Sequence, residues 1–446
     1  MRTDKLANGG TAPHSPSDDS PDFEQPLLYA HGGLQAGKDS AVAEDHEAQC
    51  SPEDGGATSL RTCFNGLNAL SGVGLLSIPY ALAEGGWLSL VLLPVVAAVC
   101  CYTGQLLQRC MSTSPATRGY PDIGALAFRG KGRFAVSLFM YAELYLVAIG
   151  FLILEGDNLD KLFPGTSLSL GPGILVSGKH LFIVLVSIVI LPTMWLRNLS
   201  VLAYISASGV VASVVLVSCV LWAAVVDGVG FQGKGRMLNV SGLPTALGLY
   251  TFCYCGHAVF PTLCNSMKEK DKFSKVLVIC FVACTLNYGS MAILGYLMYG
   301  DGVESQVTLN LPDGKLSSKL AIYTTLINPF SKYALMLTPV ATAIEEKLLA
   351  GNKSSIKNRL LRTFLVISTV IVALTVPFFG DLMAFVGSLL SVMVSMLLPC
   401  VCYLRIFGTA RCSRAEVVLI VMIIALGSLV AAGGTYSSLQ KIINEF

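Results

Sequence analysis

The sequence predicts an all-α integral membrane protein with eleven transmembrane helices, and three observations lead to this fold class. Only 13% of the 446 residues are charged and 53% are hydrophobic, whereas an ordinary soluble domain has about 25% charged residues. The mean hydropathy is +0.65, although the first residues of the chain are polar. Apolar runs of about 20 residues, the length that crosses the hydrocarbon core of a bilayer, recur along the rest of the chain.

The first element is a polar tail over residues 1–59. It contains eleven acidic residues, three basic residues and many Ser, Pro and Gly residues, with almost no long apolar stretch. A segment of this composition cannot bury enough apolar surface to offset the entropy that it would lose on ordering. We therefore expect a disordered acidic tail.

Eleven apolar runs follow the tail. By the length criterion they are 60–83, 87–110, 134–156, 178–196, 200–227, 243–265, 275–299, 319–343, 361–377, 381–404 and 415–434. We group them into a first half over residues 60–227, a connecting loop over 228–242 and a second half over 243–404. The remaining residues, 405–446, contain the eleventh helix and a short tail.

The charges between the runs orient the chain. Lys and Arg residues number 18 in the loops on one side of the predicted spans and 7 on the other side. Because cytoplasmic loops carry the excess of positive charge, we expect a cytosolic N-terminal tail and a C-terminus in the lumen or outside the cell. The sequon at Asn239 then lies in the outer loop 228–242 and is a glycosylation candidate. The sequons at Asn198 and Asn352 lie inside, where no glycan is expected.

Two of the runs contain helix-breaking residues. Ser71-Gly-Val-Gly-Leu-Leu-Ser-Ile-Pro-Tyr80 interrupts the first run and Cys253-Tyr-Cys-Gly-His-Ala-Val-Phe-Pro261 interrupts the sixth, because Gly and Pro disfavour a helix interior. Residues 66–79 and 248–261 align without a gap and share Gly, Leu, Gly and Pro at equivalent positions. A matching pair at the openings of two five-helix halves predicts an inverted repeat with a binding site at the interruptions. The alternative is that these glycines only allow helices to pack closely.

The two interruptions predict complementary ligands for a zwitterion. In the first, the freed N–H groups of Ser71–Gly74 and the start of the following helix favour a carboxylate. In the second, freed carbonyl groups at Tyr254–Gly256 favour an ammonium group. A molecule with both charges, such as an α-amino acid, satisfies both interruptions.

Five stretches of the sequence are distinctive: LRTCFNGLNALSGVGLLSIPYALAEGGW (60–87), GYPDIGALAF (119–128), YAELYLVAIGFLILEGDNL (141–159), CYCGHAVFPTL (253–263) and NPFSKYALMLTP (328–339). Together they resemble the amino acid/auxin permease family, and within it the plant vacuolar amino-acid transporters of the AVT type, over roughly residues 58–440. The resemblance implies a LeuT-like 5+5 inverted repeat plus one extra helix, and proton-coupled amino-acid transport, often in the vacuolar membrane. It also implies substrate contacts at Ser71, Gly72, Val73, Gly74, Tyr254, Gly256 and His257.

Few ionisable side chains lie near the middle of predicted spans, where a buried charge is costly and points to a function; we consider Lys332, Glu143 and His257. We expect Lys332 to stand near the first interruption, where related sodium-coupled transporters hold a cation, so that its protonation couples transport to pH. The alternative is a static Lys332–Glu143 ion pair that locks the scaffold, and for Glu143 we favour the structural interpretation. His257, whose ring ordinarily titrates near pH 6.5, is either a proton relay or, as we favour, a neutral ring bound to nearby carbonyls.

These features favour a secondary active transporter of mainly neutral amino acids that works by alternating access in the vacuolar membrane. The alternatives are a facilitator, or a carrier of another zwitterion or of a carboxylate such as auxin, at the plasma membrane; symport and antiport both remain open. The sequence contains no motif that predicts an enzyme, an ATP-binding loop, a metal site or a nucleic-acid interface. We therefore expect amino acids, protons and lipid as partners, no cofactor, and a monomer.

Overall fold

The computed structural model describes residues 57–114, 117–171, 174–195, 209–231, 233, 235–348, 355–376, 378–409 and 412–445. The predicted N-terminal tail lies outside the described residues except for its last three positions. The sequons at Asn198 and Asn352 also lie outside the described residues.

The first predicted half consists of helices and one β-hairpin. Its elements are α1 (Ser59–Leu70), α2 (Gly74–Gly85), a 3₁₀ turn (Trp87–Val91), α3 (Leu92–Met111), α4 (Tyr120–Leu162), β1 (Ser167–Gly171), β2 (Ile174–Ser177), α5 (Gly178–Trp195) and α6 (Gly209–Val225). The Thr58 side chain caps α1 by accepting a hydrogen bond from the Arg61 N–H at 3.4 Å. At the end of α2, Gly86 takes a left-handed φ of 79°, which glycine adopts without a steric penalty.

The second predicted half and the C-terminal region are helical in the described residues. Their elements are α7 (Leu243–Cys253), α8 (Phe260–Ser266), a 3₁₀ turn (Lys270–Lys272), α9 (Phe273–Tyr299), a 3₁₀ turn (Gly300–Gly302), α10 (Val307–Asn310), α11 (Leu316–Leu348), α12 (Ser355–Thr375), α13 (Phe379–Phe385), α14 (Leu398–Phe407) and α15 (Arg414–Glu445). Pro261 lies in the first turn of α8, where its missing N–H removes no helical hydrogen bond.

Within the described ranges, seven helices are long and apolar enough to cross a membrane, and the bent pair α1–α2 makes an eighth candidate span. The helices α6 and α7 are apolar but shorter. Large apolar side chains on the outside are exposed, among them Val211, Leu286, Phe364 and Leu429 at 65–69%, as expected for a surface that lipid covers. The predicted α-helical membrane protein is thereby confirmed, whereas the count of eleven spans and the inverted repeat remain predictions.

Three local features differ from the predicted pattern. The Ser-Leu-Ser-Leu alternation at 167–170, which has the period of a strand, forms the antiparallel hairpin β1–β2 in a predicted outer loop. The helix α4 extends well beyond the run 134–156 and is kinked at Phe128 and Arg129, where Arg129 has a φ of 56°. The helix α15 continues to Glu445 in place of the expected short tail.

The tenth predicted run is wider than an α-helix over part of its length. Two π-helical turns, Val386–Ser391 and Met393–Leu397, lie between α13 and α14; we refer to residues 386–397 as the π-helical segment. Gly387 in this segment lies so close to the Gly248 carbonyl in α7 that a Cβ atom on Gly387 would overlap the carbonyl oxygen. Backbone contact between the two glycines therefore fixes α7 against the π-helical segment.

Candidate binding site between two helix interruptions

The first interruption consists of Ser71–Val73, between α1 and α2, which are bent by 53° relative to one another. The Ser71 N–H still donates to the Leu67 carbonyl at 2.6 Å, but the Gly72 N–H turns back to the Leu70 carbonyl at 2.8 Å. The next N–H groups, of Val73 and Gly74, stand at the start of α2. The first N–H groups of a helix lack partners within it and carry the positive end of its dipole.

The second interruption consists of Tyr254–Val259, between α7 and α8. The N–H groups of Tyr254 and Cys255 close the end of α7 with two hydrogen bonds of 3.2 Å. The Gly256 carbonyl, one of the predicted acceptors for an ammonium group, instead accepts a hydrogen bond from the Val259 N–H at 3.0 Å. The end of α7 at Cys253, where the helix dipole is negative, borders the same interruption.

The two interruptions lie against each other. A Cβ atom on Gly74 would be 2.6 Å from Cys253 Sγ and 3.2 Å from Cys253 Cα, and one on Gly256 would be 3.1 Å from the Leu70 side chain. The buried Tyr288 hydroxyl lies 2.5 Å from the Leu70 carbonyl and 3.3 Å from the Cys253 carbonyl. Tyr288 of α9 thus joins the last residues of α1 and α7. The absence of a side chain at Gly74 permits the close contact between Gly74 and Cys253.

A cavity of about 890 Å³ lies at the two interruptions. Five of the predicted site residues line it, namely Gly72, Val73, Gly74, Gly256 and His257. The cavity extends from there to charged residues of the loops that we predict to be cytosolic, namely Arg118, Arg133, Lys270 and Lys347. It is therefore open toward the side with the excess of basic residues.

Two predicted site residues, Ser71 and Tyr254, are not among the residues that line this cavity. Ser71 Oγ lies 3.9 Å from Cys284 Sγ, and the Tyr254 hydroxyl donates to Thr285 at 2.9 Å. The Tyr254 ring also stacks on Phe281, with the ring centroids 5.8 Å apart. Both side chains pack on α9 and support the interruptions, and their substrate contacts stay a prediction.

Lys332 of α11 reaches the first interruption. Its Nζ donates to the carbonyl oxygens of Asn68 and Ser71 at 2.9 Å and 2.8 Å, and the residue is only 4% exposed. These oxygens belong to the end of α1, where helical carbonyls lose their partners and the dipole is negative. The ammonium group of Lys332 therefore stabilises the end of α1.

Glu143 has different partners, so the static Lys332–Glu143 ion pair considered above is wrong. Its Oε1 accepts a hydrogen bond from Ser391 Oγ of the π-helical segment at 2.5 Å, and the Cys255 thiol of the second interruption lies beside the same carboxylate. Among the ion pairs of the described residues, none contains Glu143 or Lys332. Both side chains nevertheless line the same cavity.

His257 is fully buried and contacts α3. Its Nε2 lies 3.0 Å from Thr103 Oγ1 and 3.1 Å from the Cys100 carbonyl oxygen, and its ring centroid lies 4.8 Å from that of Phe260. Because a carbonyl oxygen only accepts, Nε2 carries the proton in this arrangement. The ring is thus bound to a carbonyl, as we favour from the sequence, whereas its neutral state stays a prediction.

The side opposite to the basic mouth is closed by the predicted outer loop, 228–242. The Trp87 N–H donates to the Arg236 carbonyl at 3.0 Å, and the Arg236 side chain pairs with Asp301 at 2.9 Å. Gly86 permits this contact, because a Cβ atom there would lie 2.8 Å from the backbone of the loop.

A buried amide completes the closure of this side. Gln306, which is fully buried, donates to Asp157 at 2.7 Å and accepts from Asn158 at 2.6 Å. Asp157 also pairs with Lys179 at 2.5 Å. The network links α4, α5 and the residue before α10.

The sequence does not identify several residues of the site, in particular Tyr288, Ser391 and Gln306. Each acts through a partner that is distant along the chain, for example Tyr288 and Leu70, which are 218 residues apart. The only signal in the sequence is a polar or sulfur-containing side chain within or beside an apolar run.

Residues 55–440 match a protein family described as transmembrane amino acid transporter protein. Amino acid transporter AVT1I of Arabidopsis thaliana is 50% identical over 405 residues, which cover 91% of this chain and 100% of that protein. From the same plant, amino acid transporter AVT1J is 49% identical, with 92% and 96% of the two chains covered. Amino acid transporter AVT1B is 44% identical, with 94% and 77% covered.

Proposed function

The chain belongs to the family of transmembrane amino acid transporter proteins, and from that premise we propose that it is a proton-coupled secondary active carrier of mainly neutral amino acids in the vacuolar membrane. Its family is one of transporters and not of enzymes. The observation that carries the proposal is the meeting of two interrupted membrane helices at one cavity of about 890 Å³.

The cavity offers both charges of an amino acid a place. The carboxylate binds the N–H groups of Val73 and Gly74 at the start of α2, which combine unpaired donors with the positive end of a helix dipole. The ammonium group faces the end of α7 near Cys253, where the dipole is negative. A site of this polarity accepts a zwitterion with little change in net charge, which favours neutral amino acids.

The one-sided opening supports alternating access. The cavity reaches Arg133 and Lys270 on the basic side, while the loop at Arg236 and the buried Gln306 close the other side. In the proposed cycle, this cytosol-facing state exchanges with one that faces the lumen when the Arg236–Asp301 and Gln306–Asp157 contacts open. The proposed architecture is a LeuT-like 5+5 inverted repeat with an eleventh helix, and it functions as a monomer.

Lys332 is the proposed site of proton coupling. Its ammonium group bridges the carbonyls of Asn68 and Ser71, as a bound metal cation would, and the Cys284 thiol is the titratable neighbour. Loss of the proton removes the positive charge that holds the end of α1. The state of Lys332 is thereby linked to the geometry of the first interruption.

The resemblance to plant vacuolar transporters supports the proposed vacuolar location, and in this proposal the proton gradient replaces ATP as the energy source. The test is uptake of a radiolabelled neutral amino acid into liposomes containing the purified protein, with a pH difference imposed across the membrane. We expect the amino acid to accumulate inside the liposomes above its external concentration. This accumulation should be lost when a protonophore dissipates the pH difference. The sign of the effective gradient distinguishes symport from antiport.

Protein-free liposomes are the control for leakage. Equal fluxes with and without the pH difference would indicate a facilitator and contradict the coupling. Uptake of an auxin-like carboxylate without uptake of any amino acid would contradict the proposed substrate class.

A further inference from the structure

Glu143 is a carboxyl group deep in the wall of the cavity. Among the described residues that line the cavity, only Glu143 and Glu346 are acidic. Glu346 is exposed beside Lys347 at the mouth, whereas Glu143 is 5% exposed. Its neighbours on α4 that line the cavity, Met140 and Leu144, are buried and apolar.

A hydrogen bond from the π-helical segment positions the Glu143 carboxylate. Ser391 of the π-helical segment donates to Oε1 at 2.5 Å, and the Cys255 thiol of the second interruption lies beside the same carboxylate. π-Helical turns are frequent at functional sites, and here one places Ser391 against α4. Both neighbours are uncharged, so Ser391 orients the carboxylate and neither side chain neutralises it.

No basic side chain of the described residues forms an ion pair with Glu143. The other buried charge of the cavity, Lys332, directs its ammonium group to the carbonyls of Asn68 and Ser71. A buried carboxylate without a counter-charge is costly. A ligand with a cationic group removes this cost if that group is placed so that it also donates hydrogen bonds to the carboxylate.

The helix ends around Glu143 have the polarity that a bound zwitterion needs. The helix α7 ends at Cys253, two residues before Cys255, so the negative end of its dipole lies on the same side of the cavity as Glu143. The helix α2 begins at Gly74 with its positive end. Gly74 and Cys253 are in contact. The end of α7, which attracts a cation, therefore lies next to the start of α2, which attracts an anion.

We infer that Glu143 is a substrate-binding residue whose carboxylate accepts the ammonium group of the substrate. The site then selects molecules that carry a protonated amine beside a carboxylate over carboxylates that lack the amine. Ser391 is a positioning residue that acts through Glu143. This inference rests on the proposed function and adds the residue by which that site recognises amines.

The experiment measures amine preference in proteoliposomes. Unlabelled amino acid, and its deaminated analogue with the same side chain and carboxylate, compete with uptake of the labelled amino acid; the ratio of their inhibition constants is the amine preference. Glu143→Gln keeps the size of the side chain and removes its charge. We expect it to lower the amine preference by about tenfold to a hundredfold, the effect of losing one charge-assisted hydrogen bond.

Glu346→Gln is the matched control, because it removes the other acid of the cavity at its exposed mouth, and its amine preference should equal that of the wild type. Ser391→Ala leaves the carboxylate in place but unsupported, and we expect a smaller decrease of about threefold to tenfold. A folded variant elutes as a single species in gel filtration. If Glu143→Gln does not elute in this way, the amine preference of Ser391→Ala decides the outcome.

An unchanged amine preference in the folded variants would overturn the inference, as would a wild-type protein that binds the deaminated analogue as well as the amino acid. These results leave the proposed function intact, since the wild type still accumulates amino acids. Failure of the wild type to accumulate any amino acid is a separate result, which contradicts the proposed function itself.

Discussion

At the scale of single residues, the site consists largely of backbone groups at helix ends, which have no hydrogen-bond partner within their own helix. The carbonyls of Asn68 and Ser71 end α1 and accept hydrogen bonds from Lys332. Val73 and Gly74, at the start of α2, line the cavity. Small changes at these positions should therefore affect transport more than folding.

The first prediction concerns Lys332. In Lys332→Met, the carbonyls of Asn68 and Ser71 lose their cationic donor, so we expect any remaining amino-acid uptake to be insensitive to an imposed pH difference. Uptake into proteoliposomes at several pH differences measures this. Lys347→Met, at the mouth of the same cavity, should keep the wild-type dependence. A Lys332→Met protein whose uptake still follows the pH difference would assign Lys332 a purely structural role.

The second prediction concerns Gly74. In Gly74→Ala, the new methyl group would lie 2.6 Å from Cys253 Sγ and 3.2 Å from Cys253 Cα, so α2 must shift away from α7. Overpacking of this kind costs about 1–3 kcal/mol, and we expect uptake to fall by about tenfold or more. Gly289→Ala is the control, because a Cβ atom there meets no atom within 4 Å. Equal uptake by the two variants would show that the contact between the interruptions does not matter.

Some residues of the site are predictable from the sequence, and others depend on tertiary contacts that the sequence pattern does not encode. Gly72, Val73 and Gly74, which line the cavity, are predictable because glycine in an apolar run marks an interruption of the helix. The side-chain directions of Ser71 and Tyr254, which pack on α9, depend on tertiary contacts. The same holds for Tyr288 and Ser391, whose partners are more than 200 residues away along the chain.

At the scale of secondary-structure elements, the interruption of each helix is predictable but the geometry around it is not. Gly and Pro spacing indicates where α1 and α7 end, since both residues disfavour a helix interior. The π-helical segment has no comparable signal, because its wider turns respond to neighbours in the folded protein. The kink at Arg129 likewise occurs at a residue other than glycine with a positive φ of 56°, which local propensity disfavours.

The third prediction concerns the contact between α7 and the π-helical segment. In Gly387→Ala, the methyl group would overlap the Gly248 carbonyl oxygen and lie 2.9 Å from Phe252 Cβ. Separation of the two backbones should destabilise the protein by about 1–3 kcal/mol, which we expect to see as a lower melting temperature in detergent. Gly433→Ala in α15, where a Cβ atom meets nothing within 4 Å, should melt at the wild-type temperature or slightly above it. Identical melting of both variants would exclude close packing at Gly387.

At the scale of the whole molecule, the cavity is open on one side and closed on the other. The open side contains Arg118, Arg133 and Lys270, and the closed side contains the loop that pairs Arg236 with Asp301. Composition predicts the membrane class because a charged fraction of 13% is far below that of soluble domains. Which side of the cavity is open depends on relative helix positions, which no local pattern encodes.

The fourth prediction concerns the orientation of the chain. Asn239 lies on the closed side, in the same loop as Arg236, and Ser241 Oγ donates to its side-chain oxygen at 2.7 Å. If this side faces the lumen, we expect expression in plant or yeast cells to give a glycan that glycosidase treatment removes. Removal of the glycan is measured as a shift in electrophoretic mobility. Asn239→Gln should abolish this shift, and Asn352→Gln should not change it. Sugar on Asn352 would reverse the orientation and place the open cavity on the lumenal side.

The most direct test of the central claim, that two interrupted helices hold the two ends of an amino acid, is an electron cryo-microscopy map of the protein with a transported amino acid bound. We predict ligand density in the cavity, with the carboxylate within hydrogen-bonding distance of the Val73 and Gly74 N–H groups and the amine toward the end of α7 and Glu143. Continuous helices through residues 70–75 and 253–257, or ligand density away from both, would contradict the account.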